Sequence, residues 1–326
     1  MLTKMIHNTA HFMSGQGTAI FLILAIFCGS ATGTLIPQAG DSLPINIDYM
    51  IVLLVFFLLF EVRIQDVIVS LAQARFICVA LIINFIVIPV LAFAISSIFL
   101  SGHPLLFVGL LIYFMSPCTD WFLGFTRLAK GNTALGAALL PINMLVQLLM
   151  YPIYLQIFGI DTINSEAGDI LQTLWQWFFV PLISALVLRL FLERTLNTKR
   201  FELVQSVVAL SIPILLAGLV AQISAVNIGT LIAYVNVVPL ILGAIILFFT
   251  ITFLLSEAIA RFMKLPHEDH VLMTMTTAAR NAPLMIALTV AVIPNQPIIY
   301  AAIIIGMVIE LPHLVALKVI FLKRSN

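Results

Sequence analysis

Three ionisable residues, Asp120, Arg280 and Glu310, lie inside long apolar runs. The chain has fifteen Lys and Arg residues, and apart from Arg280 they fall between such runs or at their ends. A charge at bilayer depth costs about 2.5–3.5 kcal/mol, so it persists only where it faces a partner or a water-filled cavity. By sign, the partner of Arg280 is Asp120, and pairing lowers the cost of each. The pair reads as a structural lock, or as a contact that a proton or solute opens. A carboxylate facing a cavity takes up a proton when its counter-charge moves away. Glu310 stands in the run Gly306-Met307-Val308-Ile309-Glu310-Leu311-Pro312-His313. It reads as a proton carrier or as a satisfied structural carboxylate, with His313 one turn on and placed to hydrogen-bond it.

Cys118 adjoins Thr119 and Asp120. A cysteine in apolar surroundings is ordinarily an inert small hydrophobe, which is the reading for Cys28 and Cys78. Polar neighbours imply water access at Cys118, where a thiol becomes a soft ligand for a thiophilic solute. One thiol binds weakly, which suits a carrier that must also release. Asn143 and Gln147, one turn apart, line a site or join neighbouring helices through their amides. His267 and His270, beside Glu268 and Asp269, read as a solvated helix entrance rather than a metal site. Met273 and Met275 read as packing. No metal and no cofactor is expected.

Proline stands three residues from each charge of the proposed pair, in Ser116-Pro117-Cys118-Thr119-Asp120 and in Arg280-Asn281-Ala282-Pro283. Proline removes a backbone donor and clashes with the preceding turn. An interrupted helix exposes amides and carbonyls, which at membrane depth is tolerated only beside a cavity. Pro89, Pro152, Pro213 and Pro239 also lie in apolar runs, so proline alone signals little. Proline with polar and charged neighbours in two matching runs points to a transporter's binding site.

These residues need elements to hold them, and composition restricts the choice. The 326 residues are 62% hydrophobic and 9% charged, more apolar surface than a soluble domain of this size can hide. The class is an all-α polytopic membrane protein whose surroundings are the lipid bilayer. A net charge of +1 leaves no footprint for nucleic acid. Apolar runs long enough to span recur at 18–37, 46–62, 76–100, 105–127, 133–158, 168–192, 204–225, 231–256, 270–293 and 298–321. The first is long enough to be a retained span rather than a cleaved leader. Lys and Arg fall before the first run and after the even-numbered ones, while the odd-numbered connections carry none. By the positive-inside rule both termini are cytoplasmic. Ten spans divide into two sets of five with opposite orientation, 18–158 and 168–321, as in an inverted repeat. The whole of 1–326 is one membrane transporter domain. Helices four and nine of that scheme are the interrupted ones.

The chain resembles the arsenite permease branch of the bile acid/sodium symporter superfamily. The resemblance rests on the Pro117-Cys118-Thr119 break, Ala129-Lys130-Gly131, Asn143, and the Gly306-x-x-x-Glu310-x-Pro312 run. It implies ten helices in two inverted five-helix repeats. The broken fourth and ninth helices cross in a core domain that moves against a panel domain. It also implies functional roles for Cys118 and Glu310, and as solute a neutral trivalent arsenic hydroxide, exported as protons enter. The ninth helix departs from both branches of the superfamily. The sodium-coupled branch has a glutamate four residues before a Gln-Asn pair; Thr276, Arg280 and Asn281 stand at the matching positions. The glutamate that would bind sodium is missing, and a guanidinium there repels sodium. Coupling is therefore expected to use protons, or no ion, rather than sodium. Asp120 also falls outside the arsenite pattern.

The expectation is a proton-linked secondary transporter, bacterial plasma-membrane in setting, exporting a small metalloid solute such as arsenite. Contacts are expected from Cys118, Thr119, Asn143, Asn281 and Glu310, and coupling from Asp120, Arg280 and Glu310. The alternative is a small organic anion held by Arg280. An enzyme is disfavoured. Asp120 alone cannot make an aspartyl pair, there is no His-Glu-x-x-His helix for zinc, and Ser116 with His313 is the only conceivable serine–histidine couple.

Overall fold

The computed structural model describes residues 16–36, 47–61, 73–118, 121–158, 175–233 and 235–324. Among them every regular element is a helix. This follows from an apolar chain in lipid, where backbone amides and carbonyls must pair within their own segment. The helices are α1 (Gln16–Leu35), α2 (Ile47–Phe60), α3 (Ala74–Leu100), α4 (Pro104–Phe114), α5 (Trp121–Leu128) and α6 (Thr133–Ile157). They continue as α7 (Val180–Thr195), α8 (Thr198–Ala233), α9 (Val238–Met263), α10 (His267–Ala278), α11 (Ala282–Val292) and α12 (Pro297–Arg324). Five segments are long and apolar enough to cross a membrane unaided: Ala74–Leu100, Thr133–Ile157, Thr198–Val226, Val235–Met263 and Pro297–Arg324. The protein is an integral membrane protein with an all-helical fold.

Packing divides the chain into two compact units, each drawing on both halves of the sequence. The first comprises Met1–Val62, Ser165–Ala233 and Ile286–Tyr300. Within it α1 lies along α8, and the contact depends on glycine. A Cβ on Gly29 would stand 2.2 Å from the carbonyl oxygen of Ala221, and one on Gly33 2.1 Å from that of Ala225. The two glycines are four residues apart, the spacing that lets backbones touch where lipid offers no hydrophobic drive between helices. Arg189, expected to flank a span, is buried in this unit and sits 6% exposed. Its Nη1 donates to the carbonyl of Phe60, at the end of α2, and its guanidinium lies over the rings of Phe60 and Phe201. A cation at a helix C-terminus is favoured by the dipole there, which explains a buried arginine with aromatic cover.

The second unit comprises Arg63–Asn164, Tyr234–Met285 and Ala301–Asn326, and it holds the candidate site residues that are described. Along α3, Ile82, Ile86, Val90 and Phe93 form an exposed stripe, while Ile83, Ile88, Ala92 and Ile95 are buried. The helix widens into a π-turn over Ile83–Val87. Pro89 has no N–H to offer the carbonyl of Phe85, and the hydroxyl of Tyr154 on α6 donates to that carbonyl at 2.6 Å. The π-turn carries Asn84, whose side chain enters the site. Two turns close on lysines with left-handed backbone, Lys130 (φ 60) after α5 and Lys264 (φ 53) after α9. In both, the next residue's N–H returns to a carbonyl five back: Gly131 to Thr126 at 2.8 Å and Leu265 to Ala260 at 2.9 Å. The start of α6 is pinned by Asn132. Its Oδ1 accepts from the Leu135 N–H at 3.0 Å, and its Nδ2 donates to Asp269 on α10 at 2.8 Å.

Candidate functional site

Two helix interruptions build the site. The first follows α4 after Phe114, and the second separates α10 from α11 over residues 279–281. The two stretches run antiparallel and bridge at Pro117 and Arg280. The Cys118 N–H donates to the Ala279 carbonyl at 3.0 Å, and the Asn281 N–H donates to the Ser116 carbonyl at 2.8 Å. Each break thus supplies the partners that the other's helix ends lack, satisfying backbone groups that would otherwise be stranded away from water. The prolines fit this arrangement. Pro117 sits where the bridge asks no donor of it. Pro283 is the second residue of α11, where a missing N–H costs nothing. Asn281 caps α11: its Oδ1 accepts from the Leu284 N–H at 3.3 Å.

Arg280 is fully buried. Its Nη1 donates to the Phe114 carbonyl at 2.9 Å, the last residue of α4. Its Nη2 donates to the carbonyls of Thr276, at 3.3 Å, and Thr277, at the end of α10. The guanidinium stands 5.6 Å from the ring of Phe248, which stacks on Phe114 at 4.0 Å. A cation thus sits against the C-terminal carbonyls of two half-helices, where their dipoles favour it. Asp120 and Thr119 lie outside the described residues, and so does the expected Asp120–Arg280 contact.

Glu310, also fully buried, comes to the second break from α12. Its Oε1 accepts from the backbone N–H of Arg280 at 2.9 Å, and its Oε2 accepts from the hydroxyl of Tyr113 on α4, also at 2.9 Å. Tyr113 carries no signal of this role in the sequence, because an aromatic in an apolar run looks like packing. His313 does not bond Glu310: its ring stacks on Phe249 at 4.3 Å and its Nε2 has no hydrogen-bond partner. The carboxylate has turned instead to the donors of α4 and the break.

Beside the breaks lies a group of buried amides. Thr276 Oγ1 accepts from Asn84 Nδ2 at 3.3 Å and from Asn143 Nδ2 at 3.2 Å. Asn281 Nδ2 donates to Gln147 Oε1 at 3.4 Å. The second polar atoms of three of these side chains, Asn84 Oδ1, Asn143 Oδ1 and Gln147 Nε2, are buried without a hydrogen-bond partner. Buried polar atoms are ordinarily paired, so these are open to a further partner. Asn84 was legible only as one amide in an otherwise apolar span. The Cys118 thiol is buried and lies within electrostatic reach of Tyr113 and Arg280. The structure therefore gathers Cys118, Arg280, Asn281 and Glu310 at the paired breaks, with Asn143 and Gln147 reaching the same α10 and Asn281.

At the start of α10 Glu268 is exposed, as a solvated entrance requires, but His270 turns toward α9. His270 Nε2 lies 3.0 Å from Glu257 on α9, whose Oε1 also accepts from Arg324 at the end of α12. Glu257 is mostly buried, while the Arg324 side chain that donates to it remains 43% exposed. Among the described residues, no three His, Cys, Asp or Glu side chains cluster in a way that could hold a metal ion.

Residues 49–231 match the model of the Sodium Bile acid symporter family, more than half of the chain. The chain is 26% identical over 166 residues to an uncharacterized sodium-dependent transporter, YocS, of Bacillus subtilis. That alignment covers 51% of this chain and 49% of the relative. It is 24% identical over 252 residues to the arsenical-resistance protein Acr3 of Corynebacterium glutamicum, covering 73% of this chain and 68% of the relative. The chain thus spans about half the length of the first of these relatives and about two thirds of the second.

Proposed function

Because the chain belongs to the Sodium Bile acid symporter family, a family of transporters, we propose that it exports a small neutral metalloid hydroxide such as arsenite in exchange for protons. The observation that carries this reading is the meeting of a buried thiol and a buried carboxylate at one pair of helix breaks. The thiol of Cys118 is the soft ligand. Glu310, hydrogen-bonded to the opposite break through the Arg280 N–H, is the group that takes up the proton. The unpaired amide atoms of Asn84, Asn143 and Gln147 are suited to a solute rich in hydroxyl groups, with Asn281 beside them. The likeness to an arsenical-resistance protein over 73% of the chain supports the same solute class.

In this reading the chain crosses the bilayer ten times, as inverted repeats 18–158 and 168–321 with both termini cytoplasmic. It works by alternating access in a bacterial plasma membrane. Protonation at Glu310, or at Asp120, biases which side is open; differential affinity between two states is all that such a shift requires. Sodium is not the coupling ion. The carbonyls at the ends of α4 and α10 already hold the guanidinium of Arg280, and a fixed positive charge opposes a second cation nearby. The organic-anion alternative rests on the Nε of Arg280, which is buried without a hydrogen-bond partner, but both Nη atoms are committed to those carbonyls.

Cys118→Ser tests the solute. The hydroxyl keeps the size of the side chain and removes its soft sulfur. Arsenite export, measured as resistance in a sensitive host and as uptake by inside-out vesicles, is expected to fall about 10-fold or more, the equivalent of losing about 1.4 kcal/mol of binding. Export unchanged in that variant contradicts a thiol-held solute.

A further inference from the structure

The hydroxyl of Tyr113 lies 2.9 Å from two acceptors, Glu310 Oε2 and the carbonyl of Gly306. A phenol has one hydrogen to donate, so it serves one of them at a time. We propose that Tyr113 is a two-way hydrogen-bond partner that allows Glu310 to gain and lose a proton without leaving any buried group unpaired. This rests on the reading of Glu310 as the proton carrier and adds the residue that positions it.

The two states balance as follows. With Glu310 ionised, Tyr113 donates to Oε2 and the Arg280 N–H donates to Oε1; the contact to a carboxylate is the stronger of the two open to the phenol. When a proton arrives on Oε2, the new O–H donates to the Tyr113 oxygen. The phenol hydrogen then rotates to the Gly306 carbonyl. Oε1 keeps the Arg280 N–H throughout. One proton is added, Tyr113 keeps its own, and no covalent bond breaks. With phenylalanine in its place, the ionised form loses this donor and the protonated form loses this acceptor, at a position where both side chains are fully buried.

The seat is built for this. Gly306 and Glu310 are one turn apart on α12, so their acceptors stand side by side. A Cβ at Gly306 would lie 2.5 Å from two ring carbons of Tyr113, so only glycine lets the phenol approach both. Tyr113 is itself fully buried. Tyr113 from α4 and Arg280 from the second break both act on this carboxylate, and Cys118 from the first break acts on those two groups in turn. His313 on α12 is held against Phe249 of α9.

The test is infrared difference spectroscopy of the full-length protein in lipid nanodiscs, read at the C=O stretch of a protonated carboxyl over about pH 5–9. The band is assigned by its loss in Glu310→Gln. In Tyr113→Phe the band is expected at higher frequency, because the O–H has lost its acceptor, and half-titration is expected about one pH unit more alkaline. The pH profile of solute flux is expected to move with it. Gly306→Ala, which keeps the phenol but displaces its ring, is expected to give the same shift and serves if Tyr113→Phe does not fold. A band and half-titration unchanged in both variants overturn the role of Tyr113 and leave the proton-carrying reading intact. A wild-type protein with no Glu310 band across that range overturns that reading and this inference with it.

Discussion

Glu310→Gln is expected to yield a folded protein that no longer couples solute movement to protons. The amide oxygen of glutamine can accept from the Arg280 N–H as Oε1 does, and its amide nitrogen can donate to the Tyr113 oxygen. The hydrogen bonds that join α12 to α4 and to the second break can therefore persist, and melting in detergent is expected to change little. What disappears is the only protonatable atom in that position. Flux driven by a pH gradient is expected to fall about 100-fold or more, the usual consequence of removing a positioned acid–base group. The measurement is initial-rate uptake into proteoliposomes with an imposed gradient, run beside a melting curve. A variant that melts normally and still responds to the gradient removes Glu310 from the coupling step.

Arg280→Met is expected to damage both fold and function. Methionine approximates the length of the side chain but offers no donor, so the carbonyls of Phe114, Thr276 and Thr277 lose a shared partner at the ends of two half-helices. Hydrogen bonds to a charged donor are strong, but the desolvation of a buried guanidinium is recovered when it is removed, so the net loss is about 3 kcal/mol. A lower melting temperature and the loss of transport are the expected results. The role of the guanidinium as a resident cation has its own signature in this variant. Carbonyl groups with no donor suit a small hard cation, so sodium is expected to restore part of the lost melting temperature where choline does not. Wild-type protein is expected to melt alike in both salts. Melting of the variant that equals wild type contradicts the structural role of Arg280.

The residues with a cost at membrane depth were legible because that cost is large. Arg280 and Glu310 stood out against apolar neighbours, and Pro117 and Pro283 marked where the helices stop. The breaks fall at those prolines for a physical reason: proline cannot take part in the ladder, and the polar residues around it cap the ends that result. What stayed hidden was whatever depends on contact between distant segments. Tyr113 resembles any aromatic in an apolar helix until Gly306 and Glu310 are seen beside it. Asn84 gains meaning only when the π-turn of α3 carries it to Thr276. Arg189 looked like a flanking charge because it lies near the end of its span, yet the end of α2 takes it in. The link of His270 to Glu257 and Arg324 joins three helices and has no local pattern. Helix ends also ran past the apolar runs. At 36 residues, α8 is about 54 Å long, more than a bilayer core needs, since charged residues at its start continue the helix as readily as apolar ones.

The most direct measurement is arsenite uptake into inside-out vesicles, with the interior made acidic, in medium where choline replaces sodium. Arsenite is expected to accumulate against its gradient, to stop accumulating when the pH difference is collapsed, and to be unaffected when sodium is returned. Uptake that needs sodium and ignores the pH difference contradicts proton coupling through a site whose cation position is already filled by Arg280.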